Sequence, residues 1–358
     1  MNPTQISTEP GSHTLSEILS QPQTWRQCLA RLASSSELLS AARMSRPGAE
    51  WTFIGCGTSY YLAISAAAAF IALGLPARAI PASEVLLYPS LALIPGRDFI
   101  PVVISRSGRT SEAVRAARQL EEQHDVRTIA ITCADGQPLE AECSLTLKLL
   151  GADEQSMVMT RSFTTMLLSL QYLAATILGN AGFQRFLTEL PMQAAALFES
   201  VPQRLHEFVG ARTFDDCVFL AQGPLFGIAS ECMLKVTEAS CTYAQVFHSL
   251  EFRHGPKSIV SPDTLLTFLL SESSYEAEVE LLEEMKNLGA ATMVIANRLD
   301  DRARALADFA VELNLAVPEL VRPAVFTPWG QLYGVYTGLK KGLNPDAPKN
   351  LSRVVVLD

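Results

Sequence analysis

Three stretches of this chain carry side chains whose type and spacing could do chemistry. The first runs Ile104-Ser-Arg-Ser-Gly-Arg-Thr-Ser-Glu-Ala-Val-Arg115. The apolar run Phe99–Ile104 before it reads as a short buried strand, and Glu112–Glu122 after it alternates apolar and charged residues at helical spacing. The hydroxyls between Ser105 and Ser111 therefore fall at a strand-to-helix junction, with Gly108 available for a tight turn. Backbone N–H groups, hydroxyl donors and the helix dipole favour an anion at such a place. Arg106 and Arg109 add positive charge there. An ordinary N-capped loop uses the same residue types, and the Walker pattern G-x-x-x-x-G-K-[ST] is absent. The second stretch, Leu225–Ser240, reads as a helix with Glu231, Lys235 and Glu238 at i, i+4 and i+7 on one face. Taken alone, Glu231 ahead of Lys235 is a surface ion pair worth about 0.3 kcal/mol. The third is His254, followed by Gly255-Pro256, a turn expected to expose it; a lone loop histidine is ordinarily solvated or caps a helix. His248 is a second imidazole nearby.

The elements that must position these groups alternate in type. Trp51–Ile54, Ala77–Pro81, Phe99–Ile104, Thr128–Thr132 and Leu145–Leu149 read as short apolar strands with helices between them. That alternation predicts a doubly wound parallel α/β sheet with helices on both faces. The pattern then starts again. Gly57 and Gly223 lie 166 residues apart, as do Ser105 and Ser271, and the strands at 128–131 and 293–296 match at 165. Three corresponding pieces in order predict duplication of one flavodoxin-like unit. The second turn, Ser271-Glu-Ser-Ser274, has Glu272 in the place of Arg106 and lacks the glycine and second arginine, so it makes a poor anion cradle. The expected division is an N-terminal segment over 1–46, a first domain over 47–200, a second over 201–343, and a tail over 344–358 near the site. Residues 1–13 read as a mobile arm and Thr14–Arg43 as helical with a break at Gln21-Pro22.

Composition bounds the function. Apolar content of 48% against 18% charged residues describes a well-packed globular chain with apolar surface to spare for a subunit interface. A net charge of −9 without a basic run argues against nucleic acid as a partner, while a small anion remains suitable. The seven cysteines form no C-x-x-C pair and read as reduced thiols of a cytoplasmic protein. The longest apolar stretch, Leu62–Leu75, is too short to span a bilayer and reads as a core helix. The polar N-terminus carries no secretory signal, and no membrane, metal or cofactor is expected.

Taken in order, seven pieces of the chain resemble the sugar isomerase (SIS) domain proteins that carry two tandem phosphosugar-binding domains. They are Glu17-Ile-Leu-Ser-Gln-Pro22, Gly55-Cys-Gly-Thr-Ser59, Ser105-Arg-Ser-Gly-Arg-Thr110, Thr160-Arg-Ser-Phe-Thr-Thr165, Glu231-Cys-Met-Leu-Lys-Val-Thr-Glu238, Arg253-His-Gly-Pro256 and Asn344-Pro-Asp346. The set is shared with the isomerase half of glucosamine-6-phosphate synthase. The form Phe252-Arg-His-Gly-Pro-Lys-Ser258 is most similar to the amino-sugar-phosphate isomerase/deaminase branch.

The resemblance implies roles. Ser59, Ser105, Ser107 and Thr110, with Gly57, match the phosphate-binding turns; Arg106 and Arg109 stand where the synthase-like pattern S-Q-S-G-E-T has Gln and Glu, and their added charge is expected to strengthen phosphate binding or to meet a second acidic group on the substrate. Glu238 matches the general base, Lys235 would hold an enediolate oxygen or tune Glu238, and His254 would open the sugar ring. In relatives that histidine comes from the neighbouring subunit, which implies a homodimer or a dimer of dimers. Arg353 stands where the synthase has a Schiff-base lysine; a guanidinium stays protonated and forms no imine, so its expected task is to stabilise an anionic oxygen. The glutaminase half is expected to be missing, which disfavours glutamine-fed amination. The resulting expectation is an enzyme releasing ammonia and a ketose 6-phosphate from an amino sugar 6-phosphate. Fructosamine 6-phosphate deglycation and a non-catalytic phosphosugar sensor are the alternatives.

Overall fold

Two parallel five-stranded sheets organise the computed structural model, which describes residues 9–357. The first contains β1 (Glu50–Gly55), β2 (Ala77–Pro81), β3 (Phe99–Ile104), β4 (Ile129–Thr132) and β5 (Leu145–Lys148), in the order β2-β1-β3-β4-β5. The second contains β6 (Asp216–Ala221), β7 (Tyr243–His248), β8 (Thr264–Leu269), β9 (Ala291–Ala296) and β10 (Phe309–Glu312). Its order, β7-β6-β8-β9-β10, is the same topology one repeat later. β3, β4, β8 and β9 are almost wholly apolar and buried along their length, as strands covered by helices on both faces must be. The duplicated α/β architecture read from the sequence is therefore present.

The helices are α1 (Ser12–Leu19), α2 (Gln21–Leu32), α3 (Ser36–Arg43), α4 (Thr58–Ala72), α5 (Ala82–Leu87), α6 (Pro89–Ala92) and α7 (Ser111–His124). They continue as α8 (Pro138–Glu142), α9 (Arg161–Ile177), α10 (Ala181–Ala211), α11 (Leu225–Ser240), α12 (Tyr275–Asn287), α13 (Asp301–Leu306) and α14 (Pro323–Lys340). α9 is buried over most of its length and anchors the N-terminal helices, with Trp25 Nε1 donating to Thr164 Oγ1 at 2.8 Å. The boundary expected at 200/201 falls inside α10, a single helix of 31 residues.

The expected mobile arm needs correction at its end. Residues 1–8 lie outside the described residues, but α1 already begins at Ser12 and is tied to the far end of the chain. Asp346 accepts from the backbone N–H groups of His13 and Thr14, at 3.2 and 2.7 Å, and Asn344 accepts from Gly11 at 3.0 Å. A carboxylate on a helix N-terminus satisfies otherwise orphaned donors. The break at Gln21-Pro22 is real. A second one, at Ser34-Ser35, was not foreseen; there Ser35 Oγ accepts from Leu38 N and starts α3.

Small residues bring the decisive helices together. Gly330, Gly334 and Gly338 recur every four residues on one face of α14, where α11 lies against it. A Cβ at these positions would come within 2.4 Å of Cys232 Sγ, 2.8 Å of Lys235 O and 2.1 Å of Ala239 O. Gly227, on another side of α11, leaves as little room: its Cβ would lie 2.5 Å from Tyr61 O on α4. α11 is thus wedged between the first unit and the last helix at backbone-to-backbone distance. Gly338→Ala should lower unfolding free energy by about 3 kcal/mol, since the clash is with backbone and cannot relax by a rotamer change. Urea denaturation of the variant beside the wild type checks this.

Candidate active site

In a sheet of this order, ligands bind beyond the carboxyl ends of the two strands where the order reverses. Here those are β1 and β3. After β1 the chain turns so tightly that a Cβ on Gly55 would meet Ser59 C and O at 2.5 Å. Gly57, at φ 53°, then caps α4, with Thr58 and Ser59 as its first residues. After β3, Ser105 N donates to Ile131 O at 3.0 Å and Ser105 Oγ to Thr110 Oγ1 at 3.3 Å. Gly108, at φ 63°, has Gln137 Cβ 2.7 Å from where its own Cβ would be, so only glycine fits this turn. Gly57, Thr58, Ser59, Ser107 and Thr110 line one cavity of about 240 Å³, and Ser105 lies behind Thr110.

α11 enters that cavity from the second unit. Lys235 and Glu238 line it, and Lys235 Nζ donates to Glu238 and, at 3.2 Å, to Thr58 Oγ1 of the first unit. Glu231 lies on the other side of the same ammonium, 3.5 Å away and fully buried. One buried ammonium therefore faces two carboxylates. Burial pushes Glu231 up to about 8, Lys235 opposes this, and the Glu238 charge adds to the rise. Lys235 itself is raised, because the attraction of both carboxylates outweighs its desolvation. Glu238 is the open member of the trio, with 18% of its side chain exposed toward the cavity.

The three arginines expected to meet an anion are placed differently. Arg106 lines the cavity, but its guanidinium donates to Glu154 Oε2 at 3.2 Å and to the carbonyls of Met157 and Arg353, each at 3.0 Å. Arg353 turns its Nη2 to Asp153 Oδ1, at 2.9 Å, and to Glu154 O. Arg109 is exposed and does not line the cavity. Residues 351–355 cross the opening, so the tail reaches the site. His254 does not line this cavity; it is exposed in the loop after β7, where Phe252 is fully buried and Arg253 and Lys257 both bond Glu284 at 2.7 Å. His248 stacks on Phe226 with ring centroids 3.8 Å apart and meets Gln222 Oε1 at 3.1 Å.

Sequence reasoning missed Thr58 and Glu154. Thr58 stands between two singled-out residues, Gly57 and Ser59, and its hydroxyl ties Lys235 of the second unit to the first. Glu154 is a fully buried acid within a polar run, Asp153-Glu-Gln-Ser156, six positions before the recognised Thr160-Arg-Ser segment. Cys56 also lines the cavity, and burial pushes its thiol up to about 12.

The equivalent turn of the second unit is filled by the chain's own carboxylates. Glu319 accepts from Glu272 N at 2.7 Å, Ser273 N at 3.3 Å and Ser273 Oγ at 2.6 Å. Glu278 takes Ser271 N at 3.0 Å, Ser274 Oγ at 2.9 Å and Ser249 Oγ at 2.6 Å. The donors that could have met a ligand are occupied.

Two doubly wound units repeat one topology, and the switch-point cavity of the first is lined by a helix of the second. The SIS domain family matches residues 50–176 and 215–326, and the chain belongs to that family. It is 26% identical over 351 residues to a glutamine–fructose-6-phosphate aminotransferase (isomerizing) of Pyrobaculum aerophilum, covering 96% of this chain and 57% of that protein. The chain thus spans a little over half the length of the curated relatives it matches. Among solved structures, glucosamine-6-phosphate deaminase of Thermotoga maritima is 29% identical with a TM-score of 0.78, covering 97% of this chain and all of the other. Tagatose-6-phosphate ketose/aldose isomerase of Escherichia coli shares the fold at a TM-score of 0.83 and 23% identity, covering 100% and 98%. Among the described residues, no helix is long and apolar enough to cross a membrane.

Glu231 generates a pH prediction. Its folded-state pKa lies above the usual carboxylate value, so between about 4.5 and 8 the folded protein holds more protons than the unfolded chain. Stability then falls as pH rises through that window. Glu231→Gln removes the effect. Its stability relative to wild type should improve by on the order of 2 kcal/mol between pH 5 and pH 8, read by urea denaturation at both values.

Proposed function

We propose that this SIS-type enzyme converts an amino sugar 6-phosphate and water to a ketose 6-phosphate and ammonia. The observation that carries the reading is Glu238, an accessible carboxylate on a rigid helix, in one cavity with the hydroxyls of Ser59, Ser107 and Thr110. The phosphate would lie on those hydroxyls and the backbone N–H groups of the two turns, with Ser105 supporting Thr110 from behind. Glu238 would take the C2 proton of the open-chain amino aldose and return it to C1, leaving a C2 ketimine. Water adds to that ketimine and ammonia departs, which balances the reaction without any external oxidant. Lys235, held between Glu231 and Glu238, stabilises negative charge developing on the C1 oxygen and keeps Glu238 oriented.

The placement of the cationic side chains argues against an enzyme imine. Lys235 is held protonated by its two carboxylates, and Arg353 forms no imine and bonds Asp153. The likeness to the Thermotoga maritima deaminase along the whole chain supports the same reading. His254 is the ring-opening group in this proposal. Since it does not line its own chain's cavity, it is assigned to the cavity of a partner subunit in a homodimer.

Glucosamine 6-phosphate should yield ammonia and ketose 6-phosphate in equal amounts, and Glu238→Gln should lower kcat about 1,000-fold, the scale of a lost general base. Equal turnover by variant and wild type would remove Glu238 from the mechanism. If His254 serves the partner's site, mixing inactive Glu238→Gln and His254→Ala chains under subunit exchange should restore about a quarter of wild-type activity, one intact site in each mixed dimer. A mixture as inactive as its components would return His254 to its own subunit.

A further inference from the structure

We propose that Arg106, Glu154 and Arg353 form a reciprocal clasp that holds residues 351–355 as a built-in wall of the cavity. The two arginines are then positioning residues and do not bind substrate. Only the kinetic consequence of this inference rests on the function proposed above.

Arg106 is 5% exposed, and a guanidinium withdrawn that far from water requires a buried counter-charge. Glu154 supplies it. Its oxygens also accept from Thr160 N and Oγ1, at 2.6 and 2.8 Å, and from Ser162 N and Oγ, at 3.1 and 2.6 Å. The carboxylate is therefore fixed on the start of α9 and fixes Arg106 in turn. Arg106 then reaches across to the carbonyl of Arg353, while Arg353 reaches back to the carbonyl of Glu154. Arg106 thus grips the backbone of Arg353, and Arg353 grips the backbone of the residue that pairs with Arg106. Segment 153–157 cannot give way, because Glu17 holds its opposite side through Gln155 N, Ser156 N and Ser156 Oγ.

The far end of the tail is attached separately. Ser111 N donates to Val355 O at 3.1 Å, Leu357 N to Ser111 Oγ at 2.8 Å, and Arg115 to Leu357 O at 3.0 Å. Of the cavity-lining residues, Val354 lies between these two anchors and Leu351 and Ser352 lead into the first. Leu351, Val355, Val356 and Leu357 are 41–62% exposed, so apolar burial does little to retain the segment. Hydrogen bonds hold it, and the clasp supplies those at Arg353, which lines the same cavity as Lys235 and Glu238. A wall already in place spares the ligand the cost of ordering it.

Hydrogen exchange of the full-length protein tests the clasp directly. Arg353→Ala, at a half-exposed position whose loss leaves the core untouched, and Arg106→Gln should each speed amide exchange over 351–357 at least tenfold. Exchange over α11 should stay as in the wild type. The double variant should be no faster than the faster single variant, because both substitutions open the same clasp. Arg353→Lys, which keeps one contact, should fall between. With glucosamine 6-phosphate, Arg353→Ala should raise KM at least fivefold and leave kcat within threefold. Unchanged tail exchange in Arg353→Ala overturns the clasp. So does a fall in kcat at constant KM, which would put the guanidinium at the reacting atoms. A wild type that turns over no amino sugar phosphate overturns the proposed function, and the exchange rates still decide the clasp.

Discussion

The site depends on one buried ammonium. Lys235 Nζ stands between Glu231 and Glu238 of its own helix and reaches Thr58 at the start of the first unit's leading helix. Alone, such a charge would be too costly to bury; set between the side chains of Glu231 and Glu238 it is held firmly and holds them in return. The contact requires α11 to lie almost in touch with both α4 and α14, and glycines at 227, 330, 334 and 338 make that approach possible. Packing precision in the helix layer thus becomes electrostatic precision in the cavity.

How far the sequence discloses this differs by residue. Strand and helix periods, Gly57 and the hydroxyl-rich turn at 105–110 are local signals, and they lead to the fold and to one wall of the cavity. The i, i+4, i+7 spacing of Glu231, Lys235 and Glu238 is equally local. What one strand of text does not disclose is which half of the duplication each group serves. The first unit supplies the hydroxyl-rich turns of the cavity and the second supplies the helix that carries Lys235 and Glu238 to it, a pairing made through space across more than 170 residues.

Arginines were the least legible. Charge in a phosphate-like turn suggests a ligand, yet the guanidinium of Arg106 is directed to Glu154 and two carbonyls. Nothing near position 106 in sequence indicates this, since Glu154 and Arg353 are 48 and 247 residues away. His254 poses the same difficulty in another form: it is exposed in the loop after β7 and does not line its own chain's cavity, which its place in the sequence does not disclose.

The filled turn of the second unit has a thermodynamic consequence. Glu319 is in effect a ligand tethered to its receptor, meeting the N–H groups of Glu272 and Ser273 at an effective concentration on the order of millimolar or above. A free metabolite would have to outcompete a group that never diffuses away. The second unit's turn is thus committed to its own fold, while its helix α11 carries Lys235 and Glu238 to the first unit's cavity.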